Sequence, residues 1–303
     1  MSESSTINIF YKYTPVAHPE HFREWLKGVG TALGLHGRII VASEGINGTL
    51  EGSADAIERF ERTLRAQNGV PGTYGDFSDV WFKHSPGTSE AFPRLSIKVR
   101  PEIVTLRAPE KIDPNRITGT HISADELHDM FERDEDFVII DMRNDYEHRV
   151  GHFEKSVEPG TENFYELPEK LENLAHLKDK KVVTVCTYGV RCEKASGLLK
   201  KNGFTDVSQL HGGIGSYMQK YPGEHFKGSL YVFDQRMREQ FTDDYEVIAE
   251  CARCGTKSEN IVNCANDVCH KQHLQCETCI ADVGAPFCNA ECRMEAARVA
   301  VSV

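Results

Sequence analysis

The sequence predicts a mixed α/β protein in three parts: an N-terminal ferredoxin-like (acylphosphatase-like) α+β sandwich over 1–106, a central α/β domain with a parallel sheet over 120–223, and a C-terminal cysteine-rich zinc-binding segment over 224–303. Three observations lead there. Strand and helix periodicities follow a βαββαβ-type order before residue 105, buried apolar strands alternate with helices between 120 and 223, and all ten cysteines lie between 186 and 292. A chain of 303 residues has room for two or three such units at roughly 100–150 residues each.

In the first unit, INIFYKY (7–13) and RIIVAS (38–43) read as strands, and 22–33 as a helix with Phe22, Trp25, Leu26, Val29 and Leu33 on one face. Asn47-Gly48 predicts a tight hairpin into TLEG, and 54–67 a helix with Ile57, Phe60 and Leu64 inward. VWFKH (80–84) and LSIKVR (95–100) complete the sandwich. A linker over 107–119 carries Pro109, Pro114 and Gly119. Ser123 and Glu126 form an S-x-x-E capping box that opens a helix through Arg133. Then come a strand over 137–141, a helical stretch from Asn144, a helix over 165–177, a strand over 182–186, a helix over 193–203, and a short strand before His211-Gly212-Gly213.

The net charge of −11 excludes bulk electrostatic binding of nucleic acid, so any RNA contact must use a local basic patch. No stretch approaches the ~20 apolar residues of a membrane span, and the first ten residues lack the basic and apolar regions of a signal peptide. A cytoplasmic protein without a membrane partner is expected. In a reducing compartment, clustered cysteines point to metal and reactive thiols rather than disulfides.

Cys186-Thr187-Tyr188-Gly189-Val190-Arg191-Cys192 follows a buried strand and opens a helix. A thiol there faces free backbone N–H groups and the positive helix end, which lowers its pKa and makes Cys186 a candidate nucleophile. Arg191 adds positive charge. Cys192 is either a disulfide partner for an oxidised or persulfidated Cys186 or a packed thiol. The tail pairs C-x-x-C (251, 254), C-x4-C (264, 269), C-x-x-C (276, 279) and C-x3-C (288, 292), enough for two four-thiolate structural zinc sites. Alternation gives Cys251, Cys254, Cys276 and Cys279 at one ion and Cys264, Cys269, Cys288 and Cys292 at the other; sequential pairing is the alternative. Glu44 to Thr49 (EGINGT) reads first as a hairpin turn and second as an active-site loop. Residues 178–201 hold seven basic side chains against two acidic ones, which offers a phosphate-binding surface with Arg191, Lys194, Lys200 and Lys201, or else a solvated helix face.

Asp141-Met142-Arg143 with Glu147, Gly151-His152, the Cys186 loop and His211-Gly212-Gly213 together resemble the rhodanese domain, which implies a central rhodanese fold with sulfane sulfur carried on Cys186. With S-E-G-I-N-G-T before it and F-D-x-R-M (233–237) and the eight tail cysteines after it, the whole chain resembles the bacterial tRNA uridine 34 hydroxylase family. One departure is Tyr188, where that family commonly has a second glycine. The resemblance implies an oxidoreductase that hydroxylates the wobble uridine of the tRNA anticodon loop at C5, with dioxygen as co-substrate. No flavin, nicotinamide or 2-His-1-carboxylate motif stands out in the sequence. The target base is expected to approach Cys186, with Tyr188 as a stacking partner or a packing residue. The rhodanese part alone also supports a sulfurtransferase passing sulfur through a Cys186 persulfide, and a third reading is an idle binding module docked through the zinc tail.

Overall fold

The computed structural model describes residues 5–301. The first four residues, part of the expectation about a signal peptide, and the last two, part of the cysteine-rich segment, lie outside the described residues. The first unit runs β1 (Ser5–Tyr13), α1 (Pro19–Ala32), β2 (His36–Ala42), β3 (Gly45–Ser53), α2 (Ala54–Arg65), β4 (Trp81–Pro86) and β5 (Leu95–Val99). Its sheet has the order β4-β1-β3-β2-β5; neighbours among the first four are antiparallel and β5 adds in parallel to β2. Alternation along the strands fixes two faces. Phe10, Ile39, Val41, Ile46 and Leu50 turn toward α1 and α2, where Phe22, Leu26, Ile57, Phe60 and Leu64 complete a core. The other face carries Ile9, Tyr11, Arg38, Ile40, Thr49 and Lys98 toward the rest of the chain. In a free-standing sandwich this face would meet water; here it becomes one wall of a cavity.

Asn47-Gly48 does not form the expected hairpin turn. Ala42 pairs with Gly45, so the chain reverses at Ser43 and Glu44, and Asn47 and Gly48 lie inside β3. Gly48 is needed for packing rather than turning: a Cβ there would sit 2.5 Å from the Phe10 ring. Residues 107–119 pack on the second unit: the chain enters them from buried Leu106 and buries Ile112 against that unit's core.

The second unit contains β6 (Thr120–Ile122), α3 (Ala124–Glu132), β7 (Val138–Asp141), α4 (Asp145–Val150), β8 (Gly151–Phe153), β9 (Ser156–Val157), α5 (Leu167–Lys170), β10 (Lys181–Val185), α6 (Val190–Lys201), β11 (Asp206–Leu210) and α7 (Gly213–Lys220). Its sheet is parallel throughout, in the order β6-β11-β10-β7-β9. The capping box forms as expected: Glu126 N–H donates to Ser123 Oγ at 3.1 Å, and Ser123 N–H to Glu126 Oε2 at 2.7 Å. The helix expected over 165–177 is instead a 3-10 turn at Phe164–Glu166, the single turn of α5, and a 3-10 stretch at Leu171–Leu177. Leu171, Leu174 and Leu177 recur every third residue, which matches the three-residue turn of a 3-10 helix and not the α-helical period.

The third section adds β12 (Phe226–Gly228), β13 (Leu230–Tyr231), β14 (Arg238–Glu239), β15 (Ile261–Asn263), β16 (Gln272–Leu274), α8 (Glu277–Val283) and α9 (Ala290–Val301). β12 pairs with β8, and Tyr231, Ala249, Ile261 and Leu274 pack on Tyr146 and Val150 of α4. The cysteine-rich section is therefore clamped to the central unit by its own small core.

Candidate functional site

Cys186 leaves β10, a central strand of the parallel sheet, and the chain turns through Gly189 into α6. Gly189 sits at φ 99°, and a Cβ there would lie 2.9 Å from the Tyr11 hydroxyl, so both conformation and space call for glycine. From the other side, the backbone N–H of Ile214 donates to Cys186 O at 2.9 Å and that of Gly215 to Thr187 O at 3.0 Å. The Gly212-Gly213 turn therefore shapes the loop, and Gly189 N–H points at the Cys186 Sγ, 3.1 Å away.

Burial alone would push the Cys186 thiol up. The hydrogen bond with the Cys192 thiol, the Arg191 charge and the backbone N–H groups of Arg191 and Cys192 outweigh it and hold the pKa down at about 6. Cys192 moves the opposite way, raised by burial and by the proton it shares with Cys186. The pair thus divides into a thiolate at Cys186 and a thiol at Cys192 near neutral pH.

Arg191 is buried and bidentate on Glu147, Nη1 to Oε1 at 2.7 Å and Nη2 to Oε2 at 2.8 Å, with Nη2 also 3.1 Å from Thr187 Oγ1. Glu147 is the functional residue to which sequence reasoning gave no role, although its place in the Asp141-Met142-Arg143 to Glu147 run was the signal. Arg143 itself is fully buried and bonds Asp141 at 2.6 Å and the Gly151 carbonyl at 2.6 Å, a structural brace at the strand end.

A cavity of about 580 Å³ opens over the loop. Cys186, Thr187 and Arg191 line it from the second unit, Arg38, Ile40, Lys98 and Arg100 from the open face of the N-terminal sheet, and Val232, Phe233 and Asp234 from the third section. Arg38, Lys98 and Arg100 are exposed, and none has an ion-pair partner among the described residues.

The other cations expected at a phosphate surface are placed differently. Lys194 is buried, 2.7 Å from both Glu44 and Glu102 and 3.1 Å from the Val104 carbonyl, so it ties α6 to the N-terminal unit instead of facing solvent. Glu44, from the EGINGT run, also accepts the Ile103 N–H at 2.9 Å. Lys201 pairs with Glu110 at 3.2 Å, Lys180 with Asp136 at 3.1 Å and Lys181 with Glu135 at 2.9 Å, while Lys200 donates to the Thr118 carbonyl. Carboxylates distant in sequence thus neutralise most of the 178–201 segment. Tyr188 is likewise packed rather than free to stack: its hydroxyl donates to Glu239 Oε2 at 2.7 Å, Lys83 Nζ lies 4.7 Å from its ring, and Ile7, Ile9, Phe92 and Val232 surround it.

The eight tail cysteines gather as Cys251, Cys254, Cys276 and Cys279, and as Cys264, Cys269, Cys288 and Cys292, with the four sulfurs of each set within 4.8 Å of one another. Sulfur–sulfur distances of 3.7 Å for Cys254 to Cys276, 3.7 Å for Cys269 to Cys288 and 3.5 Å for Cys288 to Cys292 approach the roughly 3.8 Å edge of a tetrahedron with ~2.3 Å zinc–sulfur bonds. The donor set fits zinc, in the alternating arrangement, and four thiolates leave no open coordination position.

Residues 5–103 match the UPF0176 acylphosphatase like domain, 123–220 the Rhodanese-like domain and 227–293 the Rhodanase C-terminal family. The tRNA uridine(34) hydroxylase of Cytophaga hutchinsonii is 40% identical over 95% of this chain and 89% of its own length. That of Kocuria rhizophila is 41% identical over 94% and 97%, and that of Enterococcus faecalis 42% identical over 89% and 84%. The chain belongs to the tRNA uridine(34) hydroxylase family. Within that family framework, the geometry joins all three matched regions at one cavity: a tRNA uridine(34) hydroxylase family member here presents its rhodanese cysteine to the face of its acylphosphatase-like sheet. No helix among the described residues is long and apolar enough to cross a membrane.

Proposed function

We propose that the protein hydroxylates uridine 34 of tRNA at C5, giving 5-hydroxyuridine, in the cavity over Cys186. The observation that carries this reading is the shared cavity: Arg38, Lys98 and Arg100, without ion-pair partners among the described residues, line it together with Cys186. A cavity of this volume falls within the roughly 300–1,000 Å³ of small-molecule sites and admits a nucleotide turned out of the anticodon loop, while the cations hold neighbouring phosphates. A sulfurtransferase that used only the rhodanese unit would have no use for these cations.

With dioxygen as co-substrate, one oxygen atom replaces hydrogen at C5 and the other leaves as water. The balance requires two electrons and two protons from an external reductant, two small thiols that leave as a disulfide or a reduced electron-transfer protein. Within the site, Arg191, fixed by Glu147, holds positive charge beside Cys186, and the backbone N–H groups at the start of α6 stabilise anionic character at its sulfur. Zinc in the tail, when bound, supplies folding free energy to the section that carries Phe233 and Asp234.

The test is incubation of purified protein with unmodified tRNA, reductant and isotopically labelled dioxygen, followed by mass spectrometry of nucleosides. Labelled 5-hydroxyuridine from wild type and none from Cys186→Ser is expected. Product carrying oxygen from water overturns the dioxygen assignment, and sulfur transfer to tRNA without hydroxylation favours the sulfurtransferase.

A further inference from the structure

Four large apolar side chains are exposed among the described residues: Val70, Phe233, Val268 and Met294. Phe233 is the aromatic one, 45% exposed, and it lines the cavity over Cys186. A single exposed apolar side chain needs no explanation by itself; what sets Phe233 apart from the other three is that its ring lines the same cavity as Cys186 and Arg191.

The ring is held there. Val232 N–H donates to Met237 O at 3.0 Å and Met237 N–H to Asp234 O at 2.9 Å, closing a tight turn over residues 232–237. Inside it, buried Asp234 accepts from Arg236 Nε at 2.8 Å and Nη2 at 2.7 Å. Gln235 N–H donates to Ala91 O at 3.1 Å, anchoring the turn to the N-terminal unit, while Val232 packs beside Tyr188. The Phe233 and Tyr231 rings meet at right angles, centroids 5.0 Å apart. The Arg191 guanidinium lies over the Phe233 ring, 5.5 Å from its centroid, so the platform reaches the loop of the nucleophile.

We infer that Phe233 is the stacking platform for the pyrimidine base brought to Cys186; Tyr188, which also lines the cavity, is the more deeply buried ring, with its hydroxyl bonded to Glu239. The inference rests on the proposed function for the identity of the base. Single-stranded bases are bound by aromatic faces beside cationic grooves, and Arg38, Lys98 and Arg100 line the same cavity as Phe233.

The experiment compares wild type with Phe233→Ala, Phe233→Leu and Phe233→Tyr as full-length, zinc-loaded protein. The probe is a synthetic anticodon stem–loop RNA with unmodified uridine at the wobble position, read by binding across a salt series and by hydroxylated product. Stacking strength predicts that Ala and Leu each lose about tenfold or more in affinity and in kcat/KM, whereas Tyr stays within about threefold. The salt slope, and the rate at which iodoacetamide alkylates Cys186 without RNA, stay unchanged. Wild-type binding by the Ala protein, or Leu performing as well as Tyr, overturns the inference. So does alkylation slowed in proportion to activity, which would reduce Phe233 to a support for Arg191. If Ala and Leu lose binding but no protein yields hydroxylated product, the platform stands and the hydroxylase assignment fails.

Discussion

A thiol buried in a protein interior ordinarily titrates high, and Cys186 does the reverse because its loop aims donors at one sulfur. Since the pKa is lowered to about 6, thiolate is present above that value and lost as pH falls through it. Alkylation of Cys186 should therefore rise through a midpoint near pH 6, and a midpoint above 8 would contradict the geometry. Cys192→Ala removes a donor and should move the midpoint upward, while Cys192→Ser, which keeps one, should be milder in activity than Cys186→Ser. A second prediction at this scale concerns Glu147. Glu147→Ala leaves the Arg191 guanidinium buried without its partner and should destabilise the fold by about 3–5 kcal/mol, measured by urea unfolding. A loss below about 1 kcal/mol would mean that Arg191 finds another acceptor.

At the scale of elements, α6 joins the first two units, and Lys194, held between Glu44 and Glu102, is the joint. Lys194→Ala should cost stability on the order of 3–5 kcal/mol, whereas Lys200→Ala with Lys201→Ala should leave tRNA affinity within about twofold. By contrast, replacing Arg38, Lys98 and Arg100 together by Ala should weaken tRNA binding at least tenfold, and the log–log salt slope should flatten by roughly 0.7 for each phosphate that is no longer neutralised. Salt titration of binding separates the two surfaces. The contrast also marks where sequence reading succeeds and stops. The βαββαβ-type order, the Ser123 cap and the Cys186 loop are local patterns, legible from spacing. The basic run over 178–201 is equally local, but its partners Glu44, Glu102, Glu110, Glu135 and Asp136 arrive by tertiary packing, so counting charge along the chain overstates the positive charge that this segment presents. Arg38, Lys98 and Arg100 share a face only because β2 and β5 pair in register, Arg38 opposite Ser96 and Ile40 opposite Lys98. Asn47-Gly48 misleads for a related reason, as its glycine answers to Phe10 across the sheet.

Across the whole molecule, the three parts act as one site. The cysteine-rich section contributes Phe233 to the cavity and Glu239 to Tyr188, and its two cysteine clusters could hold metal ions. Chelation should release two zinc ions per chain, unfold about 224–303, and abolish hydroxylation while the parallel sheet keeps its circular-dichroism signal; metal analysis and hydrogen exchange over 232–237 read this directly. Zinc well below two per chain in active protein would contradict it. The central claim, that Cys186 in this cavity drives hydroxylation of uridine 34, is tested most directly in cells lacking the protein. Mass spectrometry of wobble nucleosides there should find 5-hydroxyuridine and its derivatives restored by wild type and absent with Cys186→Ser expressed at equal level. Full restoration by Cys186→Ser would contradict the claim.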